Sequence, residues 1–192
     1  MKSNGFANDG AAPCPSCWRP GSPPLDRRRL IGLFGIGSAA LISGTGLIGH
    51  RAFAAGTAQA LLLNCIDYRL TAATTDYMSK QQMAGKYDQV ILAGAALGAK
   101  NDTFPAWGTT FWQHVQVAID LHHISRIVVM DHRDCGAYKE ILGKDLARNP
   151  KEEFEVHAAQ MRSLKAEIGQ KHPDLEVQLL LMALDGKVET VA

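Results

Sequence analysis

A chain of 192 residues that is 46% hydrophobic has apolar material for one compact domain and too little for two large ones. Its net charge of +1 is unevenly spread: residues 1–54 carry six basic side chains against two acidic ones, leaving 14 basic and 17 acidic among the rest. A mildly acidic body without a basic stripe argues against nucleic acid as a partner.

The positive excess lies in a leader. Asp26-Arg27-Arg28-Arg29-Leu30-Ile31 resembles a twin-arginine export signal, an Arg pair followed one residue later by two apolar residues. An uncharged, glycine-diluted stretch from Leu30 to Gly49 follows, then Arg51 and the small-x-small site Ala52-Phe53-Ala54. Residues 1–54 are thus expected to be a signal cut near Ala54, leaving no stable membrane span and placing the protein in the periplasm or otherwise outside the cytoplasm. An uncleaved anchor is the rival, since about 20 apolar residues can cross a bilayer. Cys14 and Cys17 form a C-x-x-C pair inside this leader. A metal or redox role for them is set aside, because the segment is expected to be discarded or to lack structure.

In the body, apolar runs alternate with amphipathic stretches. Leu61 to Ile66 is a short buried-strand pattern, and Thr71 to Ala84 suits a helix stopped by Gly85. Asp88 to Ala93 is a second strand, ending in the small-residue run Gly94-Ala95-Ala96-Leu97-Gly98. Thr109 to His123 has helical spacing, with Phe111, Val115, Ala118 and Leu121 or His122 on one face. Arg126 to Met130 is a third, strongly β-branched strand. Residues 151–170 form an amphipathic helix with Phe154, Ala158, Met161, Leu164 and Ile168 on its apolar side. Glu176 to Ala183 is a fourth strand, and Lys187 to Val191 a possible fifth at an edge. This alternation predicts a single α/β domain over 58–192, a mainly parallel sheet of four to five strands flanked by helices. Such sheets place ligands at the carboxyl ends of their strands.

Two strand patterns end in chemistry. The first runs into Cys65-Ile66-Asp67-Tyr68-Arg69, the third into Asp131-His132-Arg133-Asp134-Cys135-Gly136. If the two strands are adjacent and parallel, Cys65, His132 and Cys135 share one rim. Two thiolates and an imidazole suit tetrahedral zinc with a fourth position open, as in catalytic sites. Gly136 would let the chain turn sharply around the metal. A disulfide between Cys65 and Cys135, or two inert core thiols, are the alternatives; a disulfide explains neither His132 nor the Asp67–Arg69 pair.

C-x-D-x-R followed by H-x-x-C-G, each after an apolar strand, resembles the β-class carbonic anhydrases, and the similarity extends over about residues 58–192. The resemblance implies one zinc ion per chain on Cys65, His132 and Cys135, and reversible hydration of carbon dioxide to bicarbonate. It implies catalytic roles for Asp67 and Arg69: Arg69 holds Asp67 off the metal, where its carboxylate orients the reacting water. In an inactive closed form of part of the family, Asp67 itself becomes the fourth metal ligand. A homodimer is also expected. Three positions depart from the family pattern: the Gly94–Gly98 run, Tyr68 within C-x-D-x-R, and Asp131 where glycine commonly precedes the ligand histidine. Related hydrolysis of COS or CS2, or a non-catalytic zinc-binding or sensor role, are the alternative functions. His114, His122, His123, His157 and His172 are possible proton shuttles, none of them singled out by the sequence. Trp107, Phe111 and Trp112 are expected in the core, with an entrance or a dimer contact as the alternative.

Overall fold

The structure, a computed structural model, describes residues 57–192; the leader, its arginines and the Cys14–Cys17 pair lie outside the described residues. Five strands form one sheet in the order β2-β1-β3-β4-β5. They are β1 (Ala60–Asn64), β2 (Tyr87–Ile91), β3 (Arg126–His132), β4 (Glu176–Met182) and β5 (Val188–Thr190). All neighbours are parallel except β4 and β5. The tight turn that permits the antiparallel return contains Gly186 at φ 82°. The mainly parallel sheet expected from the alternation of strands and helices is present.

Helices connect the strands: α1 (Thr71–Lys80) after a 3-10 turn at Tyr68–Leu70, the short α2 (Ala95–Gly98), α3 (Pro105–His122), α4 (Gly136–Leu142) and α5 (Pro150–Lys171). The interior strand β1 is buried at every position, and the central β3 at all but its first, which explains their unbroken apolar runs. Alternate residues face two cores. Leu61, Leu63, Ile127, Val129, Leu179 and Leu181 pack with Phe111, Val115 and the inner face of α5. Ala60, Leu62, Val128, Met130, Leu180 and Met182 pack with Leu70 and Met78. Each fully buried aliphatic side chain contributes roughly 1.5–3 kcal/mol.

Several expected bounds move. Helix α1 ends at Lys80 rather than Ala84, because Gln82 takes a φ of 59° that a helix cannot continue through. Helix α3 begins at Pro105, a residue suited to a first helical turn. On α3, Leu121 is 61% exposed, whereas His122 bonds Asp88 through Nδ1 at 2.7 Å. The inner stripe of α5 is wider than the expected one: Glu153 and His157 join Ala158, Met161, Leu164 and Ile168, and Phe154, half-buried, packs at its margin. Strand β3 runs two residues past Met130, through Asp131 and His132. Among the described residues, no helix is long and apolar enough to cross a membrane.

Candidate metal centre

Parallel pairing of β1 with β3 aligns Asn64 with Met130, so both strands deliver their next residues to one rim. Cys65 follows the end of β1, His132 is the last residue of β3, and Cys135 is the N-cap of α4. One ligand atom from each of the three lies within 4.8 Å of the others, the one such cluster among the described residues. The Cys65 and Cys135 sulfurs are 3.9 Å apart and both cysteines are free. Zinc–sulfur bonds of about 2.3 Å at a tetrahedral angle require sulfurs about 3.8 Å apart.

His132 completes the donor set. Its Nδ1–H donates to the Arg133 carbonyl at 2.8 Å, which leaves Nε2 as the atom with a free lone pair. That Nε2 is buried and has no protein partner. A buried, orphaned imidazole nitrogen beside two sulfurs fits a cation of the zinc type, and the cluster is compatible with such a metal.

The electrostatics agree. Cys65 is held down to about 4 by the hydrogen bond from the Cys135 thiol, against desolvation, with His132 and the Gly94 N–H adding to it. That N–H lies 3.3 Å from the sulfur. Its hydrogen bond to Cys65, then burial and the charge on Cys65, hold the Cys135 thiol up. Two adjacent buried thiolates repel each other, and a divalent cation between them removes that penalty.

Asp67 and Arg69 stand beside the cluster. Arg69 donates from Nη2 to Asp67 Oδ2 at 2.7 Å and from Nε to Oδ1 at 3.0 Å, and its backbone N–H also reaches Oδ1 at 3.0 Å. This grip holds the Asp67 carboxyl down to about 2. Asp67 Oδ2 is 3.8 Å from His132 Nε2, beside the cluster but tied to Arg69. The same guanidinium donates from Nη1 to the Asp134 carboxylate.

The loop between His132 and Cys135 is clamped from behind. Glu153 of α5 accepts from the Asp134 N–H at 2.6 Å and from Arg133 at 3.1 Å, and Arg133 also pairs with Glu189 at 2.5 Å. The sharp turn falls on Asp134, at φ 54°, and not on Gly136, whose φ is not positive and which opens α4. A carboxylate held through its backbone N–H fixes this left-handed residue. The sequence signal for Glu153 is a charged residue at i−4 from His157 on a helix's buried stripe.

In front of the loop lies a cleft of about 790 Å³ lined by Cys65, Asp67, Arg69 and the apolar Ile66, Ala93, Phe104, Trp107 and Ile141. Phe104 and Trp107 stack at 4.3 Å in the wall of this cleft, so Trp107 lines an entrance and is not in the core. Phe111 is in the core, with Trp112 packed against it. None of the candidate shuttle histidines lines this cleft.

The α/β domain that carries the Cys-His-Cys cluster at its parallel strand ends has a carbonic anhydrase fold. The fold resembles the crystal structure of a carbonic anhydrase from Streptococcus mutans, with a TM-score of 0.50 and 19% identity over 81% of this chain and 88% of that one. The family model described as "Putative carbonic anhydrase" matches residues 55–192, and the chain belongs to that family. An uncharacterized protein of Rickettsia conorii is 37% identical over 70% of this chain and 72% of its own. Another from Rickettsia bellii is 34% identical over 70% and 82%.

Proposed function

We propose that this chain catalyses the zinc-dependent, reversible hydration of carbon dioxide to bicarbonate, with Cys65, His132 and Cys135 holding the metal. The observation that carries the reading is the placement of Asp67, ionised, held by Arg69 and standing beside the Cys-His-Cys cluster. A bound zinc ion supplies a water that ionises near neutral pH rather than at about 15.7. The protein's own residues supply the rest. Asp67 accepts a hydrogen bond from the reacting water and directs its lone pair into the cleft. Arg69 keeps that carboxylate charged and away from the ligand set. The apolar wall of Ile66, Ala93, Phe104, Trp107 and Ile141 accepts a small uncharged substrate. Carbon dioxide gains the water oxygen, and the proton released passes to the solvent.

Stopped-flow hydration of carbon dioxide near pH 8.5, on protein with its zinc quantified, tests the proposal. A rate well above buffer supports it. One zinc per chain with no such rate refutes it: sulfide release from COS would then assign the related hydrolase, and silence in both assays a zinc-binding protein without turnover. Export by the twin-arginine route belongs to the same proposal, because that route moves folded protein and allows zinc to load while both thiols are reduced. A reporter fused behind residues 1–60 should require the twin-arginine translocase, and export without it would sink this part. A homodimer is proposed as well, and light scattering that gives a monomer mass would remove it.

A further inference from the structure

Asp131, the residue before His132, is sealed from solvent: its side chain is 0% exposed. Three donors converge on its carboxylate. The Ala96 N–H donates to Oδ1 at 3.0 Å, the Tyr138 hydroxyl to Oδ2 at 2.5 Å, and His157 Nδ1–H to Oδ2 at 2.8 Å. The rings of Tyr138 and His157 stack at 3.7 Å. The donors come from three separate elements, α2, α4 and α5.

Two of these ties lead to a metal-ligand candidate, and the third candidate is Asp131's own chain neighbour. Ala96 closes the turn of Gly94 and Ala95, with φ values of 76° and 37°, and Gly94 N–H is the donor to Cys65 Sγ. Tyr138 lies in the first turn of α4, whose N-cap is Cys135. His132 is bonded covalently to Asp131. One carboxylate therefore fixes the surroundings of all three side chains. An apolar residue would fill the space without the cost of burying a carboxylate; what the carboxylate adds is direction, since its lone pairs hold the donors at fixed angles to one another.

We infer that Asp131 is a positioning residue for the metal centre, acting through Ala96, Tyr138 and His157 to hold the segments that carry Cys65, His132 and Cys135. The inference rests on reading those three as metal ligands.

Zinc affinity of the full chain, by competition with a chromophoric chelator, and the absorption spectrum of the cobalt(II)-loaded protein test it. The thermal midpoint of the metal-stripped protein is measured alongside. Tyr138→Phe, which removes one hydroxyl, should bind zinc about tenfold more weakly and shift the cobalt bands; Asp131→Asn should lose about 10- to 100-fold. Should Asp131→Asn not fold, Tyr138→Phe decides alone. A lowered thermal midpoint with zinc affinity within about twofold of the parent, and an unchanged cobalt spectrum, would reduce Asp131 to a packing role and overturn the inference. A parent chain that takes up no stoichiometric cobalt, or a Cys65→Ser variant that takes it up as the parent does, would instead overturn the ligand assignment and this inference with it.

Discussion

Arg69 reaches Asp134, 65 residues further along the chain, with Nη1 2.8 Å from its carboxylate and Nη2 2.9 Å from its main-chain carbonyl. The guanidinium thereby ties the exit of β1 to the loop between His132 and Cys135 while its Nε and Nη2 hold Asp67. Arg69→Lys keeps the charge but cannot make these contacts together. It should retain about one zinc per chain and lose at least tenfold in carbon dioxide hydration, measured by stopped flow on metal-quantified protein.

Asp67→Asn leaves the Cys-His-Cys set untouched and removes the acceptor charge beside it. Zinc content should stay at the parent level while turnover falls by about 10²-fold or more. Metal analysis and the same kinetic trace check both halves, and parental turnover in this variant would remove Asp67 from the mechanism.

Two glycines offer a contrast in stability. A Cβ at Gly98 would meet the Ala93 carbonyl oxygen at 2.2 Å, whereas one at Gly136 meets nothing within 4 Å. Gly98→Ala should therefore cost about 3 kcal/mol or more. Gly136→Ala, in the first turn of α4, should be neutral or add about 0.5 kcal/mol. Urea denaturation separates the two.

Glu153→Ala strips partners from the Asp134 N–H and from Arg133, which keeps Glu189. The loss should be about 2–3 kcal/mol of stability, with the loop between His132 and Cys135 loosened. Hydrogen exchange at the Asp134 amide should rise in step.

Tyr138 gives a pH dependence. Burial, with the Asp131 charge behind it, raises the phenol well above 10. Its share of the stability is intact below about pH 10, the unfolded value, and is lost as pH rises beyond it. Thermal midpoints of the parent should fall across pH 10–11, and Tyr138→Phe should show a shallower fall over the same interval.

Much of this was legible from the sequence because short-range pattern and long-range packing agree there. The β-branched run from Ile127 to Val129 could only be a buried strand, and Cys65 could meet His132 only if two strand ends were neighbours. What escaped was polar and buried. Asp131 has the look of a loop residue, yet its partners stand at positions 96, 138 and 157, too distant for any local pattern to reveal. His157 is one of five histidines that the sequence does not tell apart, since nothing nearby in sequence marks Asp131 as its acceptor. Helices α2 and α4, of four and seven residues, are too short for a periodicity to register. Gly136 drew attention to itself as a turn residue, but the left-handed position is Asp134, which is held by Glu153 through a contact no spacing rule contains.

The pairing of β1 with β3 also bears on time. The cluster assembles only when a segment near residue 65 docks against one that leaves the ribosome some seventy residues later. Closing so long a loop is slow, and an ion captured afterwards would act as a late fastener, retarding opening far more than it speeds closure.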